Sequence, residues 1–363
     1  MINILIPLAG KNTFETNSTN VFPKILSDIG GELLIERAAK PFTMLQSDKK
    51  IVVAVPTLEV EQYKLNNVIP LLSDDVELCI INGNTKGAVC SALLAIENLD
   101  LDEPLIISSF EQVLDFELTP YINEFINGGC DAGVLTFDAI HPKWSYVKVN
   151  DEGVVTQAAE KNPISKSAIA GLYFYKSTRL FLDAAKNMIR KDVKTNDLFY
   201  ISPTLNEIIL SEGVVSAIPI DKKNYFHISD EHSLISYEDK VISRNNGAVD
   251  ELIEKTRIYA ECFNNKDIDG VKRLFSEGFC LRDPSVNLQG KDKVTSYIND
   301  IFDGAESFSF SAKDIAATSS NLSMIEFVLE FNGRTLLGTD IIRWSDELEM
   351  ISMDAYLYEM NDE

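Results

Sequence analysis

Three groups of residues in this 363-residue chain have the types and spacing for chemistry. The first is Leu8-Ala9-Gly10-Lys11, which ends an apolar run beginning at Ile4 and is followed by Pro23-Lys24. A strand that breaks into a small-residue loop can aim backbone N–H groups at a phosphate. The Pro-Lys turn then delivers one ammonium towards whatever the loop holds. The second is Thr85-Lys86-Gly87-Ala88, where small residues on a strand-to-helix turn permit close backbone approach to a ligand. The third is the adjacent pair Glu160-Lys161, a carboxylate beside a further cation. Glu160 and Lys161 are adjacent, so a straight strand would aim them at opposite faces, and both reach one ligand only at a bend or strand end.

Composition narrows the partners. A net charge of -23 argues against DNA, RNA or an anionic membrane, so an anionic substrate needs local cations. Acidity is spread along the chain, since the part from Gly247 onward carries 11 Lys+Arg against 23 Asp+Glu. Five widely spaced cysteines read as free thiols of a reducing cytoplasm. Neither a signal peptide nor an apolar run of membrane-spanning length is read, and the expected location is cytoplasmic.

The elements that must position these residues alternate. Ile4–Leu8, Ile51–Val55, Leu78–Ile81 and Leu105–Ser108 read as strands, with helical spacing over Leu33–Met44 and Lys86–Leu99, which predicts a mostly parallel sheet covered by helices. Ligands of such sheets sit at the carboxyl ends of the strands. Shorter strands follow over Asp131–Phe137, Trp144–Val149, Val154–Ala159 and Ile169–Tyr175, then helices at Phe181–Ile189, Pro203–Leu210 and Glu231–Ile242. Arg244-Asn245-Asn246-Gly247 is polar and turn-prone and reads as a linker between domains at 1–243 and 248–363. Beyond it, helices at Leu252–Phe263, Ile268–Phe275 and Lys291–Ile301 precede a run of strands, the order of an α+β domain with a curved antiparallel sheet.

Strand, small-residue loop and Pro-Lys together resemble the sugar-phosphate nucleotidyltransferases. His141-Pro-Lys-Trp-Ser-Tyr-Val147, Ala159-Glu160-Lys161-Asn-Pro-Ile-Ser165, Ala170-Gly171-Leu-Tyr173 and Asn196-Asp197-Leu-Phe-Tyr200 look like the acceptor half of a bacterial capsule and surface-polysaccharide branch of that family. The resemblance covers roughly residues 1 to 240. It implies an α/β, Rossmann-like domain that joins a nucleoside triphosphate (NTP) to a small phosphate ester and releases pyrophosphate. Leu8, Ala9, Gly10, Lys11, Thr85, Gly87 and Ala88 would bind the nucleotide, and Lys24 would be catalytic. Glu160 would bind acceptor hydroxyls and Lys161 the acceptor phosphate, with Ser145, Tyr146, Gly171 and Asn206 nearby. Mg2+ is implied, with Glu111 at the family's aspartate position and His227 where relatives often carry a second aspartate. The chain departs from the pattern at Asn12 and Phe14, where the family has glycine and arginine, and at both metal positions. A solvated loop carboxylate is the alternative reading of Glu111.

Tyr259, then Leu274-Phe275 and Arg282-Asp283-Pro284, resemble the ketosteroid isomerase and SnoaL-like superfamily of cone-shaped α+β domains, over residues 250 to 360. The resemblance implies Asp283 as general base, Tyr259 as oxyanion donor and Asp340 as a protonated acid. Three readings stand side by side. They are a nucleotidyltransferase for surface-polysaccharide precursors, a catalytically silent nucleotide- or sugar-binding protein, and an isomerase or cyclase seated in the C-terminal domain. A homodimer formed through that domain is also open.

Overall fold

The computed structural model describes residues 1–10, 13–14, 22–83 and 85–359. The chain folds as two compact units, Met1–Glu238 and Asp239–Glu363.

In the first unit the most apolar runs become its central strands. β1 (Ile2–Pro7) pairs in parallel with β4 (Lys49–Pro56) and β6 (Leu105–Ile107), and β4 pairs in parallel with β5 (Val76–Ile81). Between β1 and β4 lie the short hairpin β2 (Asp28–Ile29) and β3 (Glu32–Leu33) and the helix α1 (Leu34–Thr43). Ile4, Leu5, Ile6 and Val52 to Val55 are buried on both faces, which is why these segments show no polar alternation. Helices α2 (Thr57–Tyr63), α3 (Leu65–Val68) and α4 (Ala88–Leu94) follow successive parallel strands.

The sheet is extended by a mixed half. β8 (Ala132–Asp138), β9 (Tyr146–Val149), β10 (Val155–Ala159) and β11 (Ser167–Tyr175) give the order β10-β9-β11-β6-β1-β4-β5, with β8 on β11 and β12 (Val215–Pro219) parallel to β8. The register of β11 matters most: Tyr173 is opposite Ile107, the last residue of β6, so the earlier residues of β11 reach past the carboxyl end of β6. There β9 meets β11, with Tyr146 opposite Ala168. A separate two-stranded ribbon pairs β7 (Gln112–Leu114) with β13 (Tyr225–His227). Helices α5 (Thr119–Asn127), α6 (Thr178–Arg190) and α7 (Thr204–Leu210) complete the unit.

The linker expected at residues 244–247 is corrected by the structure, because they lie inside α8, a continuous helix from Glu231 to Asn264. A mid-helix glycine costs about 1 kcal/mol relative to alanine, and the Asn pair adds a smaller penalty. Buried residues at helical spacing on both sides, Leu234, Tyr237 and Val241 before and Leu252, Thr256 and Tyr259 after, outweigh that local preference.

In the second unit α8 is followed by α9 (Ile268–Leu274), β14 (Phe275–Arg282), β15 (Asn287–Gln289) and α10 (Lys291–Asp303). Four long strands follow: β16 (Phe308–Thr318), β17 (Leu322–Phe331), β18 (Arg334–Trp344) and β19 (Met350–Glu359). The sheet order is β15-β14-β19-β18-β17-β16, antiparallel except for β14 against β19. Gly338 lies opposite Phe327, and a Cβ there would come within 2.4 Å of the Phe327 ring. The missing side chain leaves room for this ring.

Candidate functional site

The loop after β1 and the segment after β6 meet through side chains. Thr13 is buried, its N–H donates to Gly10 O at 3.2 Å, and its hydroxyl donates to Glu111 Oε1 at 3.0 Å. A Cβ at Gly10 would lie 2.9 Å from that hydroxyl, so the turn favours glycine there. Lys24 opens a single 3-10 turn, Lys24–Leu26, directly after Pro23. Its ammonium lies 3.3 Å from Glu111 Oε1 and donates to Ser229 O at 2.8 Å. Lys11 and Asn12 fall outside the described residues. Phe14 is described and buried, stacked on Tyr63 with ring centroids 6.0 Å apart.

The two metal candidates lie at the same end of the β7–β13 ribbon, on facing strands. Gln112 lies opposite His227, and Ile228 N donates to Glu111 O at 2.8 Å. The His227 ring sits edge-on to Trp144 at 4.9 Å, while Lys143 caps Trp144 at 4.5 Å. Burial pushes the His227 imidazole down to about 4, with Lys143 and Lys24 adding to the effect and Glu111 opposing it, so the ring is neutral at pH 7. Among the described residues no group of three His, Cys, Asp or Glu side chains converges as a metal site. As a hard oxygen donor Glu111 suits Mg2+, whereas the His227 nitrogen does not.

A buried clamp ties this corner to β11. Gln112 donates to Ser108 Oγ at 2.9 Å and to Gly171 O at 3.0 Å, and accepts from the Tyr225 hydroxyl at 3.2 Å. Gly171 has φ +62°, and a Cβ there would fall 2.0 Å from Gln112 Oε1, so only glycine fits.

Past the carboxyl end of β6 stands the expected acceptor group. Glu160 Oε2 accepts from the hydroxyls of Ser145 and Ser202, the latter at 2.7 Å. Lys161 has φ +53°, the bend that the adjacent pair requires if both are to serve one ligand. Its ammonium donates to the Tyr200 hydroxyl at 2.7 Å and lies 4.7 Å from the centre of that ring, so its charge is held by a neutral partner. Burial, together with the nearby Glu160 charge, raises the Tyr173 hydroxyl far above its ordinary value and keeps it protonated.

The segment 199–202, of which sequence reasoning reached Phe199 and Tyr200 but not Ser202, links two parts of the candidate site. Phe199 N donates to Lys86 O at 2.8 Å and Val89 N donates to Phe199 O at 3.2 Å, which seats the Thr85–Ala88 turn on it. Gly87 has φ +110°, and a Cβ would meet the Phe199 backbone at 2.4 Å. Within that turn Thr85 Oγ1 and Ser91 Oγ are hydrogen-bonded at 2.7 Å. The next residues of the segment are Tyr200 on Lys161 and Ser202 on Glu160. Two expected acceptor residues do other work. Tyr146 is fully buried and spends its hydroxyl on His141 O at 2.8 Å, and Asn206 braces the β10 backbone at Ala158 through both amide atoms.

In the second unit Asp340 is buried, with Oδ1 lacking any hydrogen-bond partner. Burial first, and the charge of Asp283 second, push its carboxyl up to about 7. Asp283 itself accepts from Ser285 N at 2.6 Å, Val286 N at 2.8 Å and the Tyr297 hydroxyl at 2.8 Å. Tyr259 is buried, and desolvation with the charge of Asp340 raises its hydroxyl well above the ordinary value. Tyr297, which carries no motif of its own, completes the group.

These observations define an N-terminal unit with the nucleotide-sugar pyrophosphorylase fold and a C-terminal SnoaL-like domain. Residues 256–348 match the SnoaL-like domain family. The N-terminal region superposes on the nucleoside-diphosphate-sugar pyrophosphorylase of Vibrio cholerae with a TM-score of 0.57 at 18% identity, over 66% of this chain and 100% of that one. A UDP-glucose pyrophosphorylase complexed with UDP-glucose gives 0.52 at 17% identity, over 67% of this chain and 100% of the other. At these identities the likeness is one of fold. No curated protein sequence matches the chain. No helix among the described residues is long and apolar enough to cross a membrane.

Proposed function

We propose that the N-terminal unit is a nucleotidyltransferase: a phosphate oxygen of a small phosphorylated acceptor attacks the α-phosphorus of an NTP, and pyrophosphate leaves. The observation that carries this reading is the 199–202 segment, which seats the small-residue turn at Gly87 on one side and holds Glu160 and Lys161 on the other. Two ligand regions joined by one rigid strap suit a reaction whose main requirement is alignment of two bound molecules. Each region has a lysine of its own, Lys24 and Lys161, as an acidic protein with two anionic substrates needs.

In this reading Lys24 moves from Glu111 to the α-phosphate and offsets charge as it develops. Lys161 takes the acceptor phosphate, and Glu160, fixed by Ser145 and Ser202, receives acceptor hydroxyls through its remaining oxygen. Gly10 and the neighbouring N–H groups approach the triphosphate. A divalent ion, when bound, supplies charge neutralisation at the triphosphate, with Glu111 as its hard oxygen ligand. A role in surface-polysaccharide precursors is the biological form of this proposal. The test is pyrophosphate release from the purified chain given each NTP, a divalent cation and a panel of sugar phosphates and other phosphate esters. No release, with binding of either ligand, would move the assignment to a silent binding protein.

One observation favours a second activity. Asp340 carries a buried oxygen without a partner beside Tyr259 and Asp283, an arrangement able to donate a proton to a developing oxyanion. The isomerase or cyclase reading of the C-terminal domain rests on that group.

A further inference from the structure

Lys143 stands on a turn that is fixed from several sides. Its backbone N–H donates to His141 Nδ1 at 3.2 Å, Trp144 N donates to His141 O at 3.3 Å, and the buried Tyr146 hydroxyl donates to the same carbonyl oxygen at 2.8 Å. The Trp144 ring packs against Phe137, Tyr225 and His227, with centroids 5.1, 5.9 and 4.9 Å away. The exposed Lys143 ammonium lies over that ring. Lys49, Lys50 and Lys176 of the same unit are paired with Asp75, Glu77 and Asp131. Lys143, like Lys161, rests on an aromatic ring, and among the described residues no carboxylate lies within ion-pair distance of it. Asp230 feels its charge, but that carboxylate is already held by Ser233 N at 2.8 Å and Ser229 Oγ at 3.1 Å. A cation–π contact at an exposed site is weak, so an anion can draw the ammonium away.

The same turn touches both halves of the candidate site. Trp144 meets His227, on the strand facing the one that follows Glu111, and Ser145 donates to Glu160. The charges of Lys143 and Lys24 both act on the His227 ring. In nucleotidyl transfer the acceptor phosphate and the α-phosphate must approach although both are anions, and a cation shared by the two offsets their repulsion.

We propose that Lys143 is a further catalytic residue, whose ammonium leaves the Trp144 ring to bridge the acceptor phosphate and the α-phosphate as they meet. The acceptor oxygen bonds to the α-phosphorus, the bridging oxygen leaves with its electron pair on pyrophosphate, and Lys143 keeps its proton throughout. The proposal rests on the nucleotidyltransferase reading of this unit. It is tested by steady-state kinetics of the full chain with an NTP and a phosphate ester that release pyrophosphate. Lys143→Met keeps an aliphatic stem over the ring and removes the charge, whereas Lys143→Arg keeps the charge. Lys143→Met should lower kcat about 100-fold while KM for the NTP stays within about twofold. Lys143→Arg should recover at least about tenfold of that loss, which a role in packing alone would not produce. A Lys143→Met enzyme that keeps the wild-type kcat, or a Lys143→Arg enzyme no better than Lys143→Met, overturns the inference and leaves the nucleotidyltransferase reading in place. No pyrophosphate from the wild-type chain with any NTP and phosphate ester overturns both.

Discussion

Lys24 Nζ stands 3.3 Å from Glu111 Oε1, with side chains 11% and 27% exposed, so the cation and the carboxylate that nucleotidyl transfer would use are each other's partners. Lys24→Ala should therefore do two separable things. It should lower pyrophosphate release about 100-fold by removing charge stabilisation at the α-phosphate. It should also cost about 1 kcal/mol of stability by stripping a partly buried carboxylate of its counter-charge. Steady-state kinetics and chemical denaturation check the pair, and unchanged turnover would remove Lys24 from the mechanism.

Lys161→Ala is expected to act on the acceptor. Its ammonium has a phenol for a partner, leaving the charge free for a phosphate, so KM for the phosphate ester should rise at least about tenfold while KM for the NTP stays within about twofold. Tyr200→Phe keeps the ring beneath the ammonium and should have a smaller effect. An equal loss for both substrates in Lys161→Ala would contradict the division of the site.

Gly87→Ala should disturb both substrates at once. The added methyl meets the Phe199 backbone, and φ +110° is a conformation that alanine resists. The strap at 199–202 must move, carrying Tyr200 and Ser202 with it. A variant with normal affinity for nucleotide and acceptor would show that the strap does not link them.

How much of this could be read in the chain depends on what each feature rests on. The parallel core was legible because Ile4–Ile6 and Val52–Val55 are buried on both faces and leave an unbroken apolar signature. Lys24 and Glu160-Lys161 were singled out from motifs in the chain, and Lys161 has the positive φ of a bend, the condition under which both members of the adjacent pair could face one ligand. The uninterrupted α8 was not, because turn-prone residues 244–247 are overruled by buried anchors on either side. Thr13, Ser202 and Tyr297 were missed for a different reason. Each acts through one hydroxyl on a distant partner, and a lone hydroxyl has no sequence signal. Tyr146 and Asn206, expected at the acceptor, spend their polar groups on the protein's own backbone, because position beside a motif says nothing of where a side chain points.

Asp340 gives a pH dependence with a definite sign. Its folded value, about 7, lies above its unfolded value, so the folded state binds the proton more tightly. Stability from this group is complete below the unfolded value, near about pH 4, and is lost as pH rises towards 7 and above. The loss is on the order of 4 kcal/mol. Asp340→Asn cannot titrate, so the stability of the variant minus that of the wild type should grow between about pH 4 and pH 8 and then level off. Urea denaturation of both proteins across that range reads it, and a difference independent of pH would place the carboxyl in a solvated setting.

Nucleotidyl transfer by the N-terminal unit is tested most directly by pyrophosphate release. Full-length protein is given each of the four NTPs in turn, Mn2+ or Mg2+, and a panel of phosphate esters. Release is predicted for at least one pairing, dependent on both substrates, about 100-fold slower in Lys24→Ala and needing at least about tenfold more phosphate ester in Lys161→Ala. Release undiminished in both variants, or none from any pairing while the protein remains folded, would contradict nucleotidyl transfer at this site.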